Sequence, residues 1–259
     1  MADVEREMPP RRPGLDARLL DRMPWWLLIL ILAGAIVLYA MLQDEGYVNA
    51  LTYLIGGIGV TVRISVVAYV IALVLGLVAG LGRISKNKLI NTVATLYVEV
   101  MRGLPMLVII LYCQFVLAPQ LGIQRNAELS GILALAIGYG AYLAEVYRAG
   151  IESIERGQTE AARSLGMSSG QAMRYIVLPQ AIRRVLPPLG NDFIAMLKDS
   201  SLLSAIGVNE LTQLARIDGA RTFDFFRAFN AAALMYLILT IVLSLGVRYL
   251  EGRSSSGRR

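Results

Sequence analysis

The 259-residue chain contains no histidine and only one cysteine, Cys113. The absence of histidine excludes His-based metal sites, Ser-His-Asp triads and Cys-His nucleophiles. A single cysteine cannot form an intramolecular disulfide or a cysteine-rich metal cluster. Charged residues make up only 17% of the chain, well below the roughly 25% usual for soluble domains. This composition argues against a disordered chain and against an ordinary soluble globule.

Hydrophobic residues make up 56% of the sequence, and they occur in long blocks with a mean hydropathy of +0.58. A helix needs about 20 mostly apolar residues to cross roughly 30 Å of hydrocarbon. Five blocks are free of charge, whereas a sixth contains charged residues. The six predicted spans are residues 25–42, 64–81, 104–121, 129–144, the polar 186–203, and 228–247. The sequence therefore predicts an all-α polytopic membrane protein.

Lysine and arginine are distributed unequally between the segments that connect these spans. With the N-terminus in the cytoplasm, 19 of the 25 basic residues fall in cytoplasmic segments and four fall outside. The cytoplasmic ones number five in residues 1–24, four in 83–102, six in 148–184 and four in 248–259. This positive-inside bias predicts that both termini are cytoplasmic, and it accounts for the net charge of +6 without nucleic-acid binding.

The longest polar connector, residues 148–184, is too long for a simple turn between neighbouring spans. Thr159 is predicted to cap a first short helix, which Gly166 ends because glycine tolerates a positive φ. Ser168 has the spacing of a capping box that starts a second helix, and Pro179 is predicted to end it. Two such helices have too few apolar residues to bury a core of their own. The connector is therefore predicted to dock on a partner.

The same connector contains a motif with fixed spacing. Glu160-Ala161-Ala162 is followed after three residues by Gly166, and after nine more by Ile176-Val177-Leu178-Pro179. This pattern resembles the EAA loop of ABC importer permeases at every fixed position and in both gaps. Other segments resemble the polar amino-acid uptake branch of that family, and the resemblance covers about residues 55–250. Those segments are residues 59–63, 99–105, 142–151, 157–158, 179–181 and 198–202.

The resemblance implies a five-span permease core preceded by one N-terminal span, with a two-helix coupling loop on the cytoplasmic side of a bacterial inner membrane. The chain departs mildly from the family where Leu104 and Ser200 replace a frequent threonine. The implied domains are a tail over residues 1–24, an anchor span and outer loop over 25–54, the permease domain over 55–250 with its coupling loop at 151–184, and a tail over 251–259.

The resemblance also implies the partners. The sequence contains no G-x-x-x-x-G-K-[ST] phosphate loop, so a separate ATPase subunit would use ATP and magnesium, and this chain would bind no cofactor. An extracytoplasmic amino-acid-binding protein would deliver the substrate, and a second permease chain, identical or different, would complete the path. The residues implied to dock on the ATPase are Glu160, Ala161, Ala162, Arg163, Gly166, Ile176, Leu178 and Pro179.

Polar residues cluster in the fifth predicted span. Ionisable side chains in hydrocarbon cost about 3 kcal/mol each, so they usually pair or line a pathway. A carboxylate and an ammonium group suit the two charged groups of an amino acid, and in the family that this stretch resembles it lies near the translocation path. The alternative is an internal pair of Lys198 with Asp192 or Asp199. The predicted pathway residues are Asn191, Asp192, Lys198, Asp199, Ser200 and Ser201.

Three pairs of residues lie one helical turn apart. Two are acid–base pairs that we interpret as helix-surface ion pairs, and the third is a G-x-x-x-G pair that predicts close helix packing within the subunit rather than a dimer face. The pairs are Glu99–Arg102, Glu145–Arg148 and Gly76–Gly80.

Two functions are consistent with these residues. The first is the permease subunit of an ATP-driven importer of polar amino acids, without catalysis of its own. The alternative is an ion-coupled secondary transporter that would use Asp192, Asp199 and Lys198 for coupling. Secondary transporters often contain internal repeats, and we find none in the sequence. The sequence does not specify whether the amino acid is acidic, basic or an amide.

Overall fold

The structure is a computed structural model that describes residues 25–255 of the chain. All regular secondary structure among these residues is helical. The predicted tail at residues 1–24 and residues 256–259 of the predicted C-terminal tail lie outside the described residues. The helices are α1 (Trp25–Leu42), α2 (Glu45–Arg83), α3 (Lys88–Gly103), α4 (Met106–Tyr112), α5 (Ala118–Gln120), α6 (Ala127–Glu152), α7 (Arg156–Ser164), α8 (Ser169–Ala172), α9 (Leu178–Asp199), α10 (Leu211–Thr222) and α11 (Phe225–Ser255). π-Helical turns at Cys113–Leu117 and Met173–Val177 and a 3₁₀ turn at Ser200–Ile206 connect some of them.

The chain divides into two compact units between Glu45 and Gly46. The first unit contains α1, an 18-residue apolar helix with exposed side chains such as Ile29 and Leu32. Exposed apolar side chains are expected of a helix that lies in lipid. In the second unit, α2 runs without a break through residues 54 and 55, where the sequence predicts the permease domain to begin.

Three helices of the second unit are long and apolar enough to cross a bilayer. They are α2 with 39 residues, α6 with 26 residues, and the Phe225–Arg248 part of α11 with 24 residues. The hydropathy of α9 is a weaker indication of a membrane span, because this helix carries five charged residues along its length. The predicted span at residues 186–203 corresponds to the end of α9 and the start of the 3₁₀ turn that follows it.

The predicted third span is one arm of a bent pair rather than a separate straight helix. The segments Lys88–Gly103 and Met106–Gln120 are together long and apolar enough for one span, but they meet at an angle of 106°, as in a broken span or a re-entrant loop. The bend falls at Leu104 and Pro105, both of which have extended backbone angles. Proline lacks an amide hydrogen and disfavours helical angles in the residue before it, so the hydrogen-bond ladder of α3 ends there.

Pro179 does not end the second helix of the connector, contrary to the prediction from the sequence. It lies in the first turn of α9, where proline is tolerated because the first amides of a helix have no intrahelical acceptor. The preceding π-helical turn leads directly into α9, and the Gln180 side chain donates to the Ile176 carbonyl at 3.0 Å. The connector therefore continues into α9 as one helical path.

Close packing between α2 and α6 depends on two glycines. A Cβ on Gly76 would lie 2.6 Å from the Cβ of Leu143, and a Cβ on Gly80 would lie 2.8 Å from the carbonyl oxygen of Ala144. The G-x-x-x-G pair therefore packs two helices of the same subunit, as the sequence predicts. These helices border the main apolar core, which includes Ile64, Ala68, Ile110, Leu135, Leu143 and Met196.

We expect Gly76→Leu to destabilise the chain by about 1–3 kcal/mol, because the added side chain overpacks the contact with Leu143. Thermal unfolding of the purified chain in detergent measures this effect. Gly59→Leu is the matched control, since a Cβ on Gly59 of the same helix would have no neighbour within 4 Å. Equal shifts of the unfolding midpoint for the two variants would contradict the packing role of Gly76.

A buried carboxylate fixes α10 against α11. Glu210 is fully buried, and its side chain accepts hydrogen bonds from the backbone amides of Thr212 and Gln213 at 2.8 Å, so it caps α10. The hydroxyl of Tyr236 in α11 donates to the same carboxylate at 2.6 Å. Burial raises the pKa of Glu210 above its ordinary value because the charged form loses hydration, although these donors oppose the increase.

Candidate coupling loop and substrate pathway

α7 and α8 are the two short helices that the sequence predicts for the connector after α6. Gly166 has a φ of +85° at the turn between them, and a capping box formed by Ser168 and Gln171 starts α8. Both of these predictions are confirmed. The turn requires glycine because other residues rarely adopt a left-handed backbone conformation.

Thr159 is not the N-cap of the first short helix, contrary to the prediction. The N-cap is Glu155, four residues earlier, and α7 begins at Arg156. The reason is that the Glu155 carbonyl already accepts a hydrogen bond from the Gln158 amide at 3.0 Å, so a helical turn forms before Thr159. Glu160 therefore lies in the middle of α7 rather than beside its N-terminus.

The predicted docking residues differ in exposure. Most are exposed, whereas Ala162 is buried and anchors α7, and Ile176 is half-buried. Next to the glycine turn, the apolar side chain of Leu165 is 83% exposed. The exposed docking residues are Glu160, Ala161, Arg163, Gly166, Leu178 and Pro179. The connector thus presents an unburied surface that includes most of the motif.

A groove of about 640 Å³ runs between the end of α6, α7 and the π-helical turn. Glu160 and Arg163 of the motif line it, together with apolar and further charged side chains. A combination of apolar and charged side chains is typical of protein–protein contacts. The other lining residues are Ile151, Glu152, Ile154, Arg156, Thr159, Met173 and Val177. This surface is suited to a protein partner.

The predicted pathway residues lie around the junction of α9 with the 3₁₀ turn. Asp199 accepts a hydrogen bond from the hydroxyl of Tyr139 in α6 at 2.8 Å. Ser200 is buried, and its hydroxyl donates to the Leu197 carbonyl at 2.7 Å. Of the others, Asn191 and Lys198 are exposed, whereas Asp192 and Ser201 are half-buried. The Asp199 carboxylate is thus fixed by a hydrogen bond, whereas the polar groups of Asn191 and Lys198 are accessible.

The internal salt bridge considered for Lys198 is not formed. Among the side chains that the structure describes, no carboxylate forms an ion pair with Lys198, and Asp199 is held by a tyrosine instead. A second tyrosine binds the same helix from α2: Tyr69 donates to the Leu189 carbonyl at 2.5 Å, and its ring lies 5.1 Å from that of Phe193. Neither tyrosine is a candidate from the sequence.

Charged side chains at the junction of α2, α3 and α6 form a cluster centred on Glu145. Arg83 and Arg148 both donate to its carboxylate, and a nitrogen of Arg102 lies 3.7 Å from it. The predicted pair of Glu145 and Arg148 is confirmed, with a nitrogen–oxygen distance of 2.9 Å. The predicted pair of Glu99 and Arg102 is wrong, because Glu99 lies 3.5 Å from Arg83 of α2. The cluster therefore joins three helices rather than stabilising single ones.

Residues 72–256 match the family described as "Binding-protein-dependent transport system inner membrane component". The chain belongs to this family. The permease is 42% identical over 206 residues to the "Probable amino-acid ABC transporter permease protein YckA" of Bacillus subtilis (strain 168), which covers 79% of this chain and 90% of the relative. It is 40% identical over 205 residues to the "Glutamine transport system permease protein GlnP" of Escherichia coli (strain K12). This match covers 79% of the present chain and 94% of the relative.

Solved structures agree with this assignment. The permease matches a chain of the "Crystal structure of an amino acid ABC transporter with histidines" with a TM-score of 0.75 and 40% identity, over 80% of this chain and 96% of the other. An inward-facing MetNI methionine ABC transporter matches with a TM-score of 0.68 at 19% identity, over 78% and 96% of the chains, and supports the fold alone.

This chain is therefore the multi-pass inner-membrane permease subunit of an ABC importer, as the sequence predicts. It is a transport subunit, and ATP hydrolysis belongs to separate subunits of such systems. The family does not favour the alternative of an ion-coupled secondary transporter.

Proposed function

We propose that the permease moves polar amino acids inward across the bacterial inner membrane when a separate ATPase closes beneath it. The observation that carries this proposal is the EAA-type connector, which leaves Glu160 and the Gly166 turn exposed directly after α6. The proposed substrate class is supported by relatives that are named amino-acid and glutamine permeases.

In this proposal the ATPase binds the exposed docking residues of α7 and the glycine turn. The connector continues through a π-helical turn into α9, so a displacement of α7 would be transmitted to the helix that carries Asp192 and Asp199. ATP and magnesium remain on the ATPase, and the permease itself binds neither. Both termini of the permease are cytoplasmic in the orientation that the lysine and arginine distribution favours.

The proposed pathway lies beside α9. Asp199 and Asp192 would attract the α-ammonium group of the amino acid, and Lys198 would attract its carboxylate, with Asn191, Ser200 and Ser201 contributing polar groups nearby. Tyr139 would position Asp199 through the hydrogen bond between them. An extracytoplasmic binding protein would deliver the substrate, and a second permease chain would form the other half of the path.

Reconstitution of the permease with its ATPase and binding protein in liposomes tests the proposal. We expect ATP hydrolysis and uptake to be stimulated by a polar amino acid, and glutamine is the first to test because several relatives are named for it. Arginine and glutamate test the basic and acidic alternatives, and leucine is the apolar control. Stimulation by leucine alone, or uptake that continues without ATP, would contradict the proposal.

A further inference from the structure

An apolar groove of about 560 Å³ lies between α2 and α3, away from the coupling loop and from the polar residues of α9. The α2 wall extends from Leu75 to Gly82, and the α3 wall extends from Leu89 to Tyr97. The Tyr97 hydroxyl, the only side-chain polar group on the walls, donates to the Ile137 carbonyl at 2.7 Å. The groove therefore offers no free side-chain polar group to a ligand along these walls.

The two walls of the groove touch at one point, and other wall residues are exposed. A Cβ on Gly82 would lie 2.8 Å from the Cβ of Ala94, so the two helices are in close contact there. Val78 and Val93 lie on opposite walls and are 66% and 60% exposed. At a rise of about 1.5 Å per residue, the α2 wall from Leu75 to Gly82 is about 10 Å long and the α3 wall from Leu89 to Tyr97 is about 12 Å long. This length is most of the roughly 15 Å that one leaflet contributes to the hydrocarbon core.

Two lysines stand at one end of the groove. Lys86 lies in the loop that joins its walls, Lys88 is the first residue of α3, and both are exposed. Neither forms an ion pair with a carboxylate among the side chains that the structure describes, whereas Arg83 nearby is engaged with Glu145 and Glu99. The first amides of α3 are already occupied, because the Asn87 side chain accepts from Leu89 and Ile90. The lysine side chains are thus the groups available to an anion.

We propose that this groove binds an anionic phospholipid, with one acyl chain between α2 and α3 and the phosphate held by Lys86 and Lys88. The orientation that places this loop in the cytoplasm puts the site in the inner leaflet. A basic pocket between membrane helices on the cytoplasmic side is suited to anionic headgroups. General attraction of a basic loop to the membrane surface would need no groove, so the juxtaposition of both features indicates a defined site.

Native mass spectrometry of the full-length permease in detergent tests the site, with phosphatidylglycerol and phosphatidylcholine of identical acyl chains as probes. We expect the wild-type chain to bind phosphatidylglycerol in preference to phosphatidylcholine. Two lysines at a membrane surface account for about a 30-fold difference in affinity, so Lys86→Gln with Lys88→Gln should remove most of this preference. Arg125→Gln, an exposed basic residue on a different loop, is the charge control and should leave it unchanged.

A second pair of variants tests the acyl-chain part of the site. Val78→Phe with Val93→Phe narrows the groove from its exposed walls and should lower the binding of both lipids. Val70→Phe with Val74→Phe adds the same bulk to exposed positions of α2 that do not line the groove, and should have no effect. Lipid binding that is unchanged by both the lysine and the groove variants would overturn the proposal. Disulfide cross-linking of two permease copies through Val93→Cys would also overturn it, because a second copy would then occupy the groove.

Discussion

Uptake should be abolished when Glu160→Lys and Gly166→Val are combined. The first change reverses a charge on the exposed surface of α7, and the second places a β-branched residue at a φ of +85°, which strains the turn. The space beside Gly166 is open, since a Cβ there would have no neighbour within 4 Å. The expected defect is therefore in the shape of the docking surface rather than in the packing of the fold.

Two measurements place the defect in the permease rather than in substrate capture. Uptake of labelled amino acid in proteoliposomes should be lost, whereas capture of the amino acid by the binding protein should be unaffected. Gly170→Ala is the matched control, because Gly170 lies in the same connector with open space around it and no positive φ. It should transport like the wild-type chain. Preserved uptake in the double variant would contradict a docking role for the loop.

Asp199→Asn should reduce uptake by at least about 30-fold, because it removes the charge proposed to pair with the ammonium group of the substrate, and loss of one member of such a pair costs about 2–5 kcal/mol. Tyr139→Phe keeps the ring but removes the hydrogen bond to Asp199. It should reduce uptake by about tenfold or more, since hydrogen bonds to charged groups contribute about 1.5–3 kcal/mol. Initial uptake rates in proteoliposomes at matched protein amounts measure both effects.

Tyr97→Phe is the control for these variants. It removes a hydroxyl that also contacts α6, but this hydroxyl donates to a neutral backbone carbonyl at Ile137, away from Asp199. Its uptake should remain within about twofold of the wild-type rate, while its assembly with the ATPase is unchanged. If Asp199→Asn transports as well as Tyr97→Phe, the carboxylate does not contribute to the pathway.

Features determined by local chemistry are predictable from the sequence. The Gly166 turn and the capping box at Ser168 depend on residues within one helical turn of each other, and both have the expected geometry. The prediction that Pro179 ends the second helix of the connector is wrong. A π-helical turn precedes the proline there, and the Gln180 side chain donates to a carbonyl of that turn. Neither feature has a pattern in the sequence that distinguishes it from a helix end.

Contacts between distant segments are not predictable in this way. The hydrogen bond from Tyr139 to Asp199 joins residues 60 positions apart, and Glu145 accepts from Arg83 across 62 positions. Helix α3 also escapes prediction from hydropathy blocks, because polar residues such as Asn91, Thr95 and Glu99 interrupt its apolar ones along the sequence. Only the packing of α6 against α9, and of α2 and α3 against α6, brings these groups together.

We expect the connector between α6 and α9 to lie in the cytoplasm and to be covered by the ATPase. Leu165→Cys tests it directly, because Leu165 is 83% exposed beside the Gly166 turn. The only native cysteine, Cys113, is buried and is replaced by alanine in the tested chain. A membrane-impermeant maleimide should label Leu165→Cys in inside-out vesicles but not in intact spheroplasts, and bound ATPase should block the labelling. Labelling from the outer side, or labelling that bound ATPase leaves unchanged, would contradict a cytoplasmic docking role for the connector.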